Sequence, residues 1–288
     1  MNIRSDLAME ATESITDKSS LQGVTQKVYS RNGFTVTQVC ITSREGEKLL
    51  GKQMGEYVTV EYPQLSSADE KELSLCRELL SRQIASMLPR RFTDGCVLVV
   101  GLGNRAITPD ALGPAASSKI FVTRHLMEAL SIHQIDGVQL NCVCSLSPGV
   151  LGVTGIETAL VVQSLCAKLH PSCVICIDSL ASMKTSRLLS TVQLASSGIA
   201  PGSGVGNHSH ALDEKSLGVP VLAIGVPTVV YASTIVRDAA NEHIAISEDD
   251  DMLVTPRNID EANEVLSSLI ADSINRALQP NLNPVHMH

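Results

Sequence analysis

Two aspartates stand where carboxylates could carry proton-transfer chemistry. Asp178 ends the apolar run Cys173–Asp178 (CVICID), and Asp110 follows the run Cys96–Gly101 (CVLVVG) across the loop Leu102–Pro109. Both runs read as short buried strands. In an open parallel sheet, ligands and catalytic groups collect at the carboxyl ends of strands. Two carboxylates on neighbouring strand ends cannot both ionise easily, so one holds a proton. The charged member can then activate a water while the protonated member serves the substrate carbonyl or the leaving group. Asp110 also has a plain structural explanation. Thr108-Pro109-Asp110 reads as a helix start, with Thr108 as N-cap and Pro109 in the first helical position, where an acid suits the helix dipole. A carboxylate ending a buried strand has no such explanation, since charge is rarely buried without a partner.

Other motifs point away from competing chemistries. Gly101-Leu102-Gly103-Asn104 follows a strand as a dinucleotide loop would, but Ala106 holds the place of the last glycine and the helix begins too late, past Pro109. Pro201–Gly206 (PGSGVG) lacks the Lys-Ser/Thr of a phosphate loop and is no G-x-S-x-G elbow. Glycine does let backbone approach a bound peptide closely. Gly103 and Asn104 in the first loop, and Gly202, Gly204 and Asn207 in the second, are therefore the expected site-loop residues. Ser147-Pro148-Gly149 is a third glycine-punctuated turn. Cys173 and Cys176 have C-x-x-C spacing but lie in a strand-like run, where positions three apart face opposite ways. No histidine falls in an H-E-x-x-H pattern or pairs with cysteine at zinc-finger spacing. Neither a metal nor a cofactor is expected.

The elements that must position these residues read as alternating strands and helices. After a polar stretch, Met1–Lys27, taken as an exposed N-terminal arm, comes a strand at Tyr57–Tyr62 and a helix over about Ser67–Leu88, capped among the serines and Asp69. The strand Cys96–Gly101 is followed by a helix over Gly113–Leu130 and a strand at Val138–Cys144. A helix over Thr154–Leu169 starts with Thr154 as cap and Glu157 completing a capping box. Strands Cys173–Asp178, Thr191–Ser196 and Val221–Gly225 follow, then an amphipathic helix, Ile259–Leu278. This order predicts an α/β fold with a mostly parallel sheet and helices on both faces. Glu248–Asp251 reads as a solvated acidic loop. An aromatic content of 2% with no Trp means that the core is built from aliphatic side chains, as parallel sheets are. A net charge of −8 without a basic stripe argues against direct nucleic-acid binding. No apolar run reaches the ~18 residues of a membrane span, and no leader pattern opens the chain. Cysteines scattered in apolar runs read as buried free thiols of a reducing, cytoplasmic setting.

Read together, several segments resemble the spore germination protease family. They are GLGN (101–104), TPDALGP (108–114), TRHL (123–126), SPGVLG (147–152), TGIET (154–158), DSLA (178–181), PGSGVGN (201–207), LGVP (217–220) and AIGVPTVV (223–230), with VTP (254–256) and Ile259-Asp260 near the end. They run in family order over nearly the whole chain. The resemblance implies an atypical aspartic endopeptidase that degrades small acid-soluble spore proteins in the germinating spore core, with Asp110 and Asp178 as its two aspartates. It also implies a fold similar to that of hydrogenase maturation endopeptidases, a homotetramer, and an inactive precursor that removes its own N-terminus. Ser5-Asp6-Leu7-Ala8-Met9-Glu10 resembles both the family's processing site and its substrates, so the cut is expected between Asp6 and Leu7. That makes residues 1–6 a propeptide and 7–288 one peptidase domain. The chain departs from the family pattern in a short stretch between Val230 and Val254, in Tyr231, and in Met183-Lys184. Two other readings stay open: a maturation-type peptidase that needs a metal-bearing partner, and a binding protein with a degenerate site.

Overall fold

The computed structural model describes residues 5–15, 22–202, 210–240 and 252–287. The chain enters through α1 (Ala8–Glu13) and a hairpin, β1 (Val24–Arg31) and β2 (Phe34–Ile41). The hairpin turns on Asn32-Gly33, whose φ values of 52° and 85° match the right-handed twist of the flanking strands. Then come α2 (Arg44–Leu50), β3 (Gly55–Glu61), α3 (Glu70–Met87) and β4 (Val97–Gly101). α3 starts on a full capping box between Asp69 and Glu72. Next are α4 (Leu112–Ser117), α5 (Arg124–Ala129), the small pair β5 (Gln134–Ile135) and β6 (Val138–Gln139), β7 (Val143–Leu146), α6 (Leu151–Thr154) and α7 (Thr158–Leu169). The last part holds β8 (Cys173–Ser182), β9 (Thr191–Ala195), α8 (Glu214–Leu217), β10 (Val221–Tyr231), α9 (Ala232–Ala240), β11 (Leu253–Val254) and α10 (Ile259–Leu278).

One sheet runs β1-β2-β3-β9-β10-β8-β4-β7, with β11 against β10. The stretch β10-β8-β4-β7 is parallel. β4, β8 and β10 are apolar runs buried on both faces, as crossover connections require, while β7 at the edge is only partly buried. The rest is an antiparallel extension built by the hairpin, β3 and β9. α3, α4 and α10 cover one face, over Val99, Ile175, Ile177 and Ile224. α7 and α8 cover the other over Leu98, Val174 and Cys176, and Ala8 of α1 and Leu50 of α2 cover Val39, Tyr57 and Ala195. The expected α/β sheet with helices on both faces is therefore present, and its parallel part carries both aspartates.

Several boundaries differ from the sequence reading. The N-terminal arm is not exposed: Leu7, Ala8, Met9 and Glu10 are buried, because α1 docks on the sheet. The helix expected at Gly113–Leu130 is two helices, broken where Thr123 bonds back to β7 through Val143 and the carbonyl of Asn141. The strand expected at Val138–Cys144 divides into β6 and β7. The helix expected from Thr154 starts at Thr158, because Gly155 takes a left-handed φ of 70° and closes α6 first; Glu157 is its N-cap residue and makes no side-chain cap. The acidic run Glu248–Asp251 lies outside the described residues.

Gly113 sets how closely α4 lies over the ends of β4 and β8. A Cβ there would stand 2.2 Å from the Leu102 carbonyl oxygen and 2.4 Å from that of Ile177. Helix propensity alone makes Gly113→Ala favourable by about 1 kcal/mol. The clash is with backbone, which cannot swing away, and overpacking of this kind costs about 1–3 kcal/mol or more. Gly113→Ala is therefore expected to lower stability, by about 2 kcal/mol or more at the upper end of that range; denaturant titration of the two chains reads the sign.

Candidate active site

β8 is the strand that matters most. Its residues alternate: Cys173, Ile175 and Ile177 face α3, α4 and α10, while Val174, Cys176 and Leu180 face the other side, and Asp178 shares their parity. Cys173 and Cys176 sit in separate cores, both as free thiols. Asp178 does not end the strand. β8 continues to Ser182 because β10 reaches past it and pairs with it as far as Val230↔Ser182. The carboxyl of Asp178 is thus in the interior of the sheet, 4% exposed, and its Oδ1 accepts one hydrogen bond, from the Ser179 N–H at 2.9 Å. Burial pushes this carboxyl well above the usual carboxylate range, and the charge of Asp110 pushes it further, against the Ser179 N–H.

Asp110 reaches Asp178 through the strand order. β4 is the neighbour of β8, with Gly101 opposite Ile177, and the Leu102 N–H donates to the Ile177 carbonyl at 2.8 Å. The loop leaving β4 therefore begins beside Asp178. It ends in one 3₁₀ turn, Thr108–Asp110, that begins at Thr108, so Thr108 is not an N-cap; Ile107 precedes the turn and gives no side-chain bond. The Asp110 carboxylate turns back instead and accepts from the Asn104 N–H at 2.7 Å. Burial raises this carboxyl and that N–H opposes the rise. Two bonds pin the turn: Thr228 Oγ1 to the Pro109 carbonyl at 2.7 Å and Asn263 Nδ2 to the Thr108 carbonyl at 2.6 Å. Gly103 has φ +112°, and a Cβ there would lie 2.1 Å from the Asp110 carbonyl oxygen. Gly103 and Asn104 shape the aspartate's seat.

On the face that Asp178 shares with Leu180, Asp178 is in register with Gly225 of β10, and Gly225 with Gln193 of β9. The glycine leaves a trough between two polar side chains; a Cβ on it would meet Leu180 at 2.5 Å. At a strand spacing of about 4.8 Å, Asp178 and Gln193 stand roughly 10 Å apart across it. The trough opens into a cavity of about 290 Å³ that Asp6, Lys52, Asp178, Gln193, Gly202 and Gly225 help to line. Gly204 and Asn207 lie outside the described residues.

The chain's own N-terminal segment lies in this trough. The Asp6 N–H donates to the Ala181 carbonyl at 3.1 Å, and the Ala181 N–H donates to Asp6 Oδ2 at 2.8 Å. Gln193 brackets Leu7: its Nε2 donates to the Asp6 carbonyl at 3.0 Å and its Oε1 accepts from the Ala8 N–H at 2.7 Å, while the Leu7 N–H between them donates to Ser5 Oγ at 3.0 Å. Lys52 Nζ donates to the Ser5 carbonyl at 2.6 Å. Burial pulls the Lys52 ammonium below the usual lysine range, partly offset by the charges of Asp6 and Glu10. Leu7 and Met9 pack on Leu180, each contributing about 1.5–3 kcal/mol by burial. The hydroxyl of Ser179, beside Asp178, is buried with no hydrogen-bond partner among the described residues. Those residues hold no cluster of three or more His, Cys, Asp and Glu fit for a metal ion, and no helix among them is long and apolar enough to cross a membrane.

Sequence reasoning missed Gln193, Lys52, Gly225 and Arg187. Gln193, Lys52 and Arg187 lie outside every motif, Gly225 lies inside AIGVPTVV without a role of its own there, and only the tertiary fold brings the four near the N-terminal segment.

Comparison with known proteins agrees with the motifs. The family described as germination protease matches residues 3–245. A germination protease of Clostridium tetani is 38% identical over 98% of this chain and 97% of its own length. One from Caldanaerobacter subterraneus is 38% identical over 100% and 98%, and one from Bacillus pumilus is 42% identical over 82% and 66%. Among solved structures, a NiFe hydrogenase maturation protease from Thermococcus kodakarensis is 16% identical and covers 62% of this chain and 92% of its own, at a TM-score of 0.32, too loose a superposition to build on.

The raised Asp178 carboxyl makes a stability prediction with a definite sign. While both folded and unfolded chains are protonated, the group costs nothing. As pH rises above the ordinary carboxylate range, only the unfolded chain ionises freely, and the fold loses stability. Asp178→Asn should leave the melting temperature unchanged at about pH 3.5 and raise it at about pH 8. Thermal melts at both pH values check this.

Proposed function

The chain belongs to the germination protease family, and we propose that it is an aspartate-dependent endopeptidase that first cuts its own chain between Asp6 and Leu7. Its further substrates are small acid-soluble spore proteins, met in the spore core during germination. The observation that carries this reading is Gln193 holding the Asp6 carbonyl in the trough whose opposite wall is Asp178. One extended peptide fits a gap of roughly 10 Å, so the bond whose carbonyl Gln193 holds lies within reach of the aspartate side.

The two carboxylates divide the work by environment. Asp178 is the more deeply buried and sits in the field of Asp110, so it keeps the proton. Asp110 receives the Asn104 N–H, which favours its charged form. Asp110 takes a proton from the attacking water as its oxygen bonds to the Asp6 carbonyl carbon. Asp178 gives its proton to the carbonyl oxygen, which Gln193 already holds with an N–H. On collapse, the proton on Asp110 passes to the leaving Leu7 nitrogen, and a hydroxyl of the diol returns its proton to Asp178. The released residues 1–6 are the propeptide, and residues 7–288 the peptidase domain.

Assembly as a homotetramer is part of the proposal. Leu151 and Val153 of α6, Ile156 in the link after it and Leu160 of α7 are half exposed or more, apolar surface that supports contact with further copies.

Mass spectrometry of the purified chain tests the reading. The unchanged chain is expected to begin at Leu7. Asp110→Asn and Asp178→Asn are each expected to retain the first six residues, with cleavage slowed at least ~100-fold. Normal processing in either variant sinks the aspartate pair. A second readout is the pH profile of cleavage. It should be bell-shaped, falling in acid as Asp110 gains a proton and in alkali as Asp178 loses its own.

A further inference from the structure

We propose that Cys96, Cys142 and Cys144 form a peroxide-responsive thiol site, in which Cys144 is oxidised first and the cluster comes to rest as a Cys96–Cys142 disulfide. The aspartate chemistry does not use these residues, and no family motif contains them. They meet because β4 and β7 are parallel neighbours. Val97 is level with Val143, and the Val97 N–H donates to the Cys142 carbonyl at 2.9 Å. Cys96 is therefore level with Cys142, and Cys144 lies two residues further along β7. Val97 and Val143 face α3, α4 and α10, so the three cysteines share the opposite face, the one that α7 covers. The Cys96 thiol meets the Cys144 sulfur at 3.4 Å, and Cys142 lies within bonding reach of it as well. β7 ends the sheet, and Cys142 and Cys144 are partly exposed there while Cys96 is buried. A small oxidant thus reaches the two thiols of β7 from the open edge.

Their surroundings make the three thiols unequal. Cys96 donates its S–H to Cys144, and Arg124 adds a positive field. Together these hold the Cys144 thiol below the usual cysteine range, with burial and Glu128 opposing. The same bond and burial push Cys96 far up. Thiols in the core are inert by contrast: burial pushes Cys76 and Cys173 up to about 12. The thiolate is the nucleophile, so Cys144 attacks a peroxide oxygen. An S–O bond forms, the O–O bond breaks, and the departing oxygen takes the thiol proton. The Cys96 sulfur then attacks the Cys144 sulfenic acid; an S–S bond forms, the S–O bond breaks, and the hydroxyl leaves as water with the Cys96 proton. That first disulfide is strained. One strand across and two residues along, the Cα atoms are roughly 8 Å apart, beyond the ~7 Å that a disulfide spans without backbone movement. Cys142 faces Cys96 at about 4.8 Å between Cα atoms, within that span. It attacks the Cys96 sulfur and displaces Cys144, whose low proton affinity makes it the best leaving group; the Cys142 proton passes to Cys144. Overall two thiols are oxidised to one disulfide, one peroxide is reduced to water and an alcohol (two waters from hydrogen peroxide), and Cys144 is restored.

The test treats the full chain with a small excess of hydrogen peroxide, alkylates the remaining thiols, and maps the cysteines by mass spectrometry without reductant. The unchanged chain is expected to gain a Cys96–Cys142 link, reversed by dithiothreitol, before Cys40, a partly exposed thiol on β2, is modified. Cys144→Ser is expected to slow the link at least ~10-fold. Cys142→Ser is expected to stop at a Cys96–Cys144 link, and Cys96→Ser to leave a Cys144 sulfenic acid that dimedone traps. A fold defect in a variant exposes every thiol, Cys40 and the core cysteines included, so the rate at the site relative to Cys40 is what is read. Oxidation of the unchanged chain that reaches Cys40 first, or a link that omits Cys96, overturns the proposal. So does a Cys144→Ser variant that forms the link at the normal rate.

Discussion

The carboxyl of Asp178 leaves β8 from within the sheet and is almost wholly buried, and much of the site follows from what a charge would cost there. Burial and the field of Asp110 both push this carboxyl toward its neutral form. For that to be useful, a second carboxylate must sit close enough to be felt and yet remain charged. The strand order supplies the closeness, since β4 and β8 are neighbours and the loop from β4 starts beside Asp178. The Asn104 N–H supplies the charge stabilisation. Gly103 and Gly113 are what let the loop and α4 come so near, because any side chain on either would run into backbone.

The same neutral, buried carboxyl shapes the trough beside it. A strand partner with a side chain opposite Asp178 would close the gap, and Gly225 keeps it open. Gln193 then forms the far wall, with both a donor and an acceptor, and its amide grips the main chain on either side of Leu7. The N-terminal segment fills this space by ordinary means: two apolar side chains under Leu180, main-chain bonds to Ala181, and one buried ion pair at Arg187.

The antiparallel half of the sheet has a supporting role that its distance from Asp178 conceals. β9 carries Gln193, β3 carries Glu61, and the turn after β8 carries Arg187. Without the extension, the parallel half would hold the aspartates and the contacts at Leu180 and Ala181 but would lack Gln193 and Glu61.

From the sequence alone the aspartates, the βα alternation, and the helices Glu70–Met87 and Ile259–Leu278 were legible, because each is written in local pattern: apolar runs, capping residues, helical periodicity. The Asn32-Gly33 hairpin went unread in the sequence, although its dipeptide carries the right turn chemistry. The family motifs named the likeness without saying why those residues meet. Tertiary structure decided the rest. Strand pairing carried β8 past Asp178 and set Gly225 and Gln193 level with it, which no run of neighbours along the chain encodes. It also turned a polar N-terminal stretch into a buried one. Glu10 reads as a surface acid until a guanidinium from residue 187 meets it, because the partner that makes burial affordable is remote in sequence.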